Sequence, residues 1–133
     1  MVVVSAESVP VKSEPDVVAV RRRVREVSAQ LGLSLVDQTK IITAASELAR
    51  NTIIYGGGGT MQVQTLNGPR VGLRLTFEDH GPGIPDVALA LRDGFTTGSG
   101  LGLGLGGSKR LVNEFEIVSR LGEGTRITIT RWK

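Results

Sequence analysis

Between Gly98 and Gly107 the chain places six glycines in ten positions, inside the run GSGLGLGLGGSKRL. Glycine loses more conformational freedom on folding than any other residue, and in return it allows backbone conformations and close approaches that a Cβ forbids. Helix and strand interiors are weakened by such residues, so this density marks a loop and raises the question of what approaches its backbone. The core has to be assembled from the segments on either side of it.

The 133 residues suit one domain with one core, expected to span 1–133. No apolar run approaches the ~18 residues of a membrane span. The opening MVVVSAESVPVKSEPD lacks a basic segment before its apolar stretch and does not read as a signal peptide. The absence of cysteine excludes disulfides and thiolate metal sites and fits a reducing cytoplasm, the expected location. A net charge of +3 with only 4% aromatics gives no clustered basic, base-stacking surface. Neither nucleic acid nor membrane is an expected partner.

Periodicity supplies the elements. Residues 1–12 read as an edge strand broken at Pro10. In SEPDVVAVRRRVREVSAQLGLS, Val17, Val20, Val24, Val27 and Leu31 recur at steps of three and four, which predicts a helix from Pro15 and Asp16 to Gly32. Its polar side carries Arg21, Arg22, Arg23 and Arg25. This is either a solvated face or a docking surface for an acidic partner, with Arg21, Arg22 and Arg25 as the docking candidates. A second helix, LVDQTKIITAASELARNTIIY, is capped by Ser34 or Asp37, turns Ile41, Ala45, Leu48, Thr52 and Tyr55 to the core, and stops at the glycines 56–59. Glu47 and Asn51, four apart, share one face at the edge of that stripe.

Strands are expected over 60–66 and 71–79, joined by the turn NGPR. A short helix follows at 87–91, then a loop over 92–100 and a third helix from Gly106 to Phe115. Two closing strands, 116–121 and 125–132, flank GEG. The expected fold class is α+β: a two-layer sandwich with helices on one face of a largely antiparallel sheet.

Three phosphate loops can be compared with the glycine run. The Walker pattern fails at Gly107-Ser108-Lys109-Arg110. Gly102, Gly104 and Gly107 match the dinucleotide fingerprint literally, but no strand precedes them. The protein-kinase glycine loop lacks its downstream motifs. The surrounding order is more informative: Glu47 and Asn51 on a helix, EDHGPGIPD, the glycine run, then GEGT. This order resembles the GHKL nucleotide-binding (Bergerat) fold of gyrase, heat-shock chaperone, mismatch-repair and histidine-kinase ATPase domains. The stretches DQTKIITAASELARN, DHGPGIPD, DGFTT, KRLVNEFEI and GEGT are similar to the small bacterial anti-sigma-type serine/threonine kinases, most of all the stressosome switch kinases.

The resemblance implies ATP and Mg2+ as cofactors. It makes Asn51 the metal ligand, Asp79 the acceptor for the adenine amino group beside Gly81 and Gly83, and Thr125 the completion of the base pocket. Gly100, Gly102, Gly104 and Gly106 become a lid over the phosphates, and Glu47 the candidate general base for a partner's hydroxyl. Plain alternatives stand beside these roles: a helix-edge carboxylate for Glu47, a turn former for Asp79, a strand residue for Thr125. Phosphoryl transfer asks a protein mainly for positioning and charge stabilisation, and Mg2+ needs few protein ligands beside phosphate oxygens and water. The implied substrates are STAS-domain scaffold or antagonist proteins, and the implied second partner is a PP2C-type phosphatase. The other reading is an anti-sigma factor that sequesters a sigma subunit.

Overall fold

The valine stripe decides where the first helix lies. In the computed structural model, which describes residues 2–92 and 104–133, β1 (Val2–Val11) leads into α1 (Glu14–Gln30), and Val17, Val20, Val24 and Val27 of α1 are buried. Pro15 occupies the first turn, and the Asp16 carboxylate accepts the backbone N–H groups of Lys12 (2.9 Å) and Ser13 (3.3 Å), fixing the entry. Each buried valine contributes ~1.5–3 kcal/mol. The surface pair between Arg23 and Glu7 of β1 (2.6 Å) belongs to a class worth under ~1 kcal/mol. The stripe holds α1 down; the ion pair only sets its edge.

α2 (Leu35–Ile54) is capped by Ser34, whose hydroxyl accepts the Asp37 N–H at 3.1 Å, so Ser34 rather than Asp37 is the cap. Ile41, Ala45, Leu48 and Thr52 are buried as their spacing predicts. Tyr55 is not: it is 41% exposed, because it lies beyond the last helical residue and the periodicity ends before it. The chain then runs through β2 (Gly59–Asn67), β3 (Gly72–Asp79), α3 (Val87–Ala90), α4 (Gly104–Arg110), β4 (Glu114–Arg120) and β5 (Gly124–Trp132).

The five strands are all antiparallel in the order β1-β2-β3-β5-β4, so β5 inserts between β3 and β4. Met61, Val63, Leu73, Leu75, Phe77, Ile127 and Ile129 line the buried face with the stripes of α1 and α2. Helices on one face of an antiparallel sheet make the expected α+β sandwich. The expected third helix is shorter than 106–115: α4 ends at Arg110, and Phe115 belongs to β4. The reason is a period-two pattern in EFEIVSR, where Phe115, Ile117 and Ser119 are half-buried between exposed Glu114, Glu116, Val118 and Arg120. The Asn113 N–H donates to the Thr130 carbonyl (2.9 Å) and already joins the sheet. The loop expected over 92–100 lies outside the described residues from position 93 onward.

Arg131 of β5 ties the sheet to the start of α2. Its guanidinium donates to Asp37 Oδ1 at 2.5 Å and to the Leu111 carbonyl at 3.3 Å. The Arg131 hydrogen bond holds the Asp37 carboxyl below its ordinary range. The stabilisation is therefore present above the unfolded aspartate value, near ~3.9, and is lost as pH falls below it through the lowered folded value. Asp37→Asn is expected to lower the melting temperature at pH 7, and the difference from wild type should close below about pH 4. Thermal melts across that range check this; a gap unchanged at low pH would contradict it.

Candidate functional site

Asp79 ends β3, and three backbone segments crowd around its carboxylate. Oδ1 accepts the N–H of Gly81 at 2.9 Å and the N–H of Thr125 at 3.3 Å. A Cβ on Gly56 would lie 2.3 Å from Asp79 Cγ, and one on Gly81 would lie 2.8 Å from the Gly56 Cα. Gly124 (φ +125°) brings the start of β5 so close that a Cβ would meet the Asp79 carbonyl at 2.1 Å. Gly83 (φ +81°) packs on the Arg120 carbonyl in the same way, at 2.5 Å. Asp79, Gly81, Gly83 and Thr125 thus form one cluster, with the backbones of the turn after α2 and of β4 pressed against it. His80, inside the same motif, is exposed to solvent.

Glu47 and Asn51 sit one turn apart on α2, Glu47 only 9% exposed and Asn51 half-buried. Glu47 is more deeply placed than a helix-edge residue, and its Oε1 accepts the N–H of Gly104, the first residue of α4, at 3.2 Å. Ser108 donates back to the Gly104 carbonyl (3.2 Å). Gly106 lies against the end of α3, where a Cβ would stand 2.4 Å from the Leu91 carbonyl. Gly104 therefore meets the α2 face, whereas Gly106 serves the packing of α4 on α3. Gly100 and Gly102 lie outside the described residues.

The arginine set divides. Arg23 is engaged by Glu7, whose hydrogen bond raises the guanidinium above its ordinary value. Arg21, Arg22 and Arg25 are exposed. Arg21 and Arg25 line a cavity of ≈ 210 Å³ between α1 and α2, with Leu35, Gln38, Thr39, Ile42 and Thr43; Arg22 does not. Arg21 Nη1 stands 3.5 Å from the Oγ of buried Ser46, the neighbour of Glu47.

Two participants are absent from the sequence expectations. Gly56 reads as an ordinary helix stop in the sequence, yet it backs the Asp79 carboxylate. Ser119 links three segments: its Oγ accepts the Ile84 N–H at 2.7 Å and lies 2.8 Å from Thr125 Oγ1. The alternation of EFEIVSR could have revealed it, since Ser119 follows Phe115 and Ile117 on the inner face.

Comparison with known proteins places the fold in a family. Residues 36–133 match the family described as histidine kinase-, DNA gyrase B-, and HSP90-like ATPase. The chain is 46% identical over 125 residues to the serine/threonine-protein kinase RsbT of Bacillus subtilis, covering 93% of this chain and 94% of that one. It is 31% identical over 117 residues to the anti-sigma F factor of a Thermoanaerobacter species, covering 84% and 82%. Among solved structures, the RsbU and RsbW domains of a Mycobacterium tuberculosis protein superpose with a TM-score of 0.68 at 23% identity. That match covers 96% of this chain and 32% of the other, about a third of its length. A mycobacterial sensor histidine kinase, MprB, gives 0.56 at 20% identity, covering 96% and 97%. The chain belongs to the histidine kinase-, DNA gyrase B- and HSP90-like ATPase family, also called GHKL. Within it, the class is that of an ATP-binding enzyme of serine/threonine-protein kinase type.

The crowding at Asp79 makes a prediction. Gly56→Ala places a methyl where the carboxylate now sits, and the two amides that hold Oδ1 resist its displacement. A lost hydrogen bond to a charged group is worth ~1.5–3 kcal/mol, so with Asp79 in the adenine-contacting role that the family resemblance implies, nucleotide affinity is expected to fall about ten- to a hundredfold. Calorimetry on the folded variant checks this, and wild-type affinity would separate Gly56 from nucleotide binding.

Proposed function

We propose that the chain is an ATP-dependent protein serine/threonine kinase that acts as a cytoplasmic single-domain partner switch. Its substrate would be a STAS-domain scaffold or antagonist protein, and on release it would activate a PP2C-type phosphatase. The observation that carries this reading is the layout of α2. Glu47 and Asn51 share one face, and just past the helix end Gly56 backs the Asp79 carboxylate, so one rigid element adjoins both ends of a nucleotide.

In this reading Asp79 accepts from the adenine amino group, and Gly81, Gly83 and Thr125 leave room for the flat base and border it. The chemistry of the site suits such a ligand: Asp79 is a carboxylate acceptor held by two amides, and the glycines at 56, 81 and 124 leave no Cβ to collide with it or its neighbours. Asn51 would hold Mg2+ through its amide oxygen. Among the described residues no cluster of three His, Cys, Asp or Glu could hold a metal, so phosphate oxygens and water would complete the shell. Bound ATP supplies the phosphoryl group. Glu47 would orient the partner's hydroxyl and take its proton, while its contact with Gly104 keeps the carboxylate aligned with the start of α4; Gly100, Gly102, Gly104 and Gly106 are the proposed lid glycines. Arg21 and Arg25, beside their cavity, steer an acidic partner surface.

Incubating the chain with ATP and candidate STAS proteins, followed by mass spectrometry, is the direct test: a phosphorylated serine or threonine supports the reading and its absence overturns it. Glu47→Ala is expected to slow transfer by about 10²–10⁴-fold. Asp79→Asn should weaken nucleotide binding instead, and identical defects in the two variants would refute the division of roles.

Arg21→Glu with Arg25→Glu is expected to weaken partner binding, more at low salt, with ATP affinity kept. Arg22→Glu should matter less, since Arg22 does not line the cavity. Titration at two ionic strengths decides between docking and a solvated face. The likeness to an anti-sigma F factor supports a second reading, sequestration of a sigma subunit, which a sigma pull-down separates from the first.

A further inference from the structure

β4 and β5 pair Ser119 with Thr125 directly across the ladder, at the end of the inner rows Phe115–Ile117 and Ile129–Ile127. The apolar floor therefore ends in two hydroxyls beside Asp79. A serine hydroxyl has one proton to give and two lone pairs. At Ser119 one lone pair takes the Ile84 N–H at 2.7 Å. The proton has two acceptors within reach, Thr125 Oγ1 at 2.8 Å, a contact in which either hydroxyl can be the donor, and the Gly124 carbonyl at 3.4 Å. The first is the ordinary O–H···O distance and the second is well beyond it.

We infer that Ser119 is a positioning residue for base selection: its hydroxyl donates to Thr125 Oγ1 and so turns the Thr125 proton outward as a fixed donor. This rests on the reading of Asp79 and Thr125 as the base pocket. The pocket then offers an acceptor at Asp79 next to a donor at Thr125. Adenine presents the complementary pair, an amino donor beside the N1 acceptor. Guanine presents the reverse, a carbonyl oxygen beside N1–H. A free Thr125 hydroxyl could rotate to accept from N1–H; one that already accepts from Ser119 is biased against it. The Ile84–Ser119 bond joins this bias to the loop after Asp79, so loop and proton direction are set together.

Calorimetric titration of the whole chain with ADP, GDP and 1-deaza-ADP, in which N1 is replaced by C–H, tests the inference. Wild type is expected to bind ADP about three- to tenfold more tightly than 1-deaza-ADP, the worth of one neutral hydrogen bond. Ser119→Ala should bind the two alike and prefer ADP over GDP less strongly, and Ser119→Thr, which keeps the hydroxyl, should restore both differences. Equal binding of ADP and 1-deaza-ADP by wild type overturns the inference without any variant. So does Ser119→Ala if it weakens all three ligands by one factor, the mark of a merely structural role. A wild type that does not prefer ADP to GDP, with Asp79→Asn binding as wild type does, overturns the base-pocket reading itself.

Discussion

One carboxylate oxygen joins the parts of the chain that make this site. Asp79 Oδ1 takes the Gly81 N–H from the loop leaving β3 and the Thr125 N–H from β5, 46 positions away. The pairing of β3 with β5 makes this possible, because it brings the exit of one strand beside the entry of the other. Hydrogen bonds to a charged group are stronger than neutral ones, so the two amides both stabilise the half-buried Asp79 carboxylate and fix where it points. The glycines at 56, 81 and 124 follow from the same contact, since the backbones meet at distances no side chain would allow. Here fold and site are one structure: a methyl that spoils the cradle also forces apart α2, β3 or β5.

The sequence discloses elements whose signal is repeated and hides those whose signal is a single contact. Four valines at helical spacing locate α1, and the alternation from Val71 to Phe77 locates β3 with its buried face. Asp79, Gly81, Gly83 and Thr125 are legible as motif residues, and they come together in the structure. Gly56 and Ser119 are not, because their importance depends on which segment lies opposite, and β5 inserting between β3 and β4 decides that. A helix running to Phe115 takes the first inward residue from EFEIVSR, leaving Ile117 and Ser119 to mark the inner row without it. Tyr55 differs for a related reason: the apolar spacing continues past the point where the helix stops.

In the proposed function α2 would also join a partner's arrival to the chemistry. Near its start Asp37 is bound to Arg131 of the sheet, and Gln38, Thr39, Ile42 and Thr43 line the cavity with Arg21 and Arg25. In its second half come Ser46 beside Arg21, then Glu47 holding Gly104, then Asn51. A helix rises ~1.5 Å per residue, so Thr43 and Glu47 are only about 6 Å apart along the axis. Arg21, exposed on α1, reaches the residue next to Glu47 without crossing the core. On the proposed reading, a protein seated on that cavity would bear on α2 one turn before Glu47, the proposed proton acceptor. Docking and catalysis would then need no long relay, because both would act on α2.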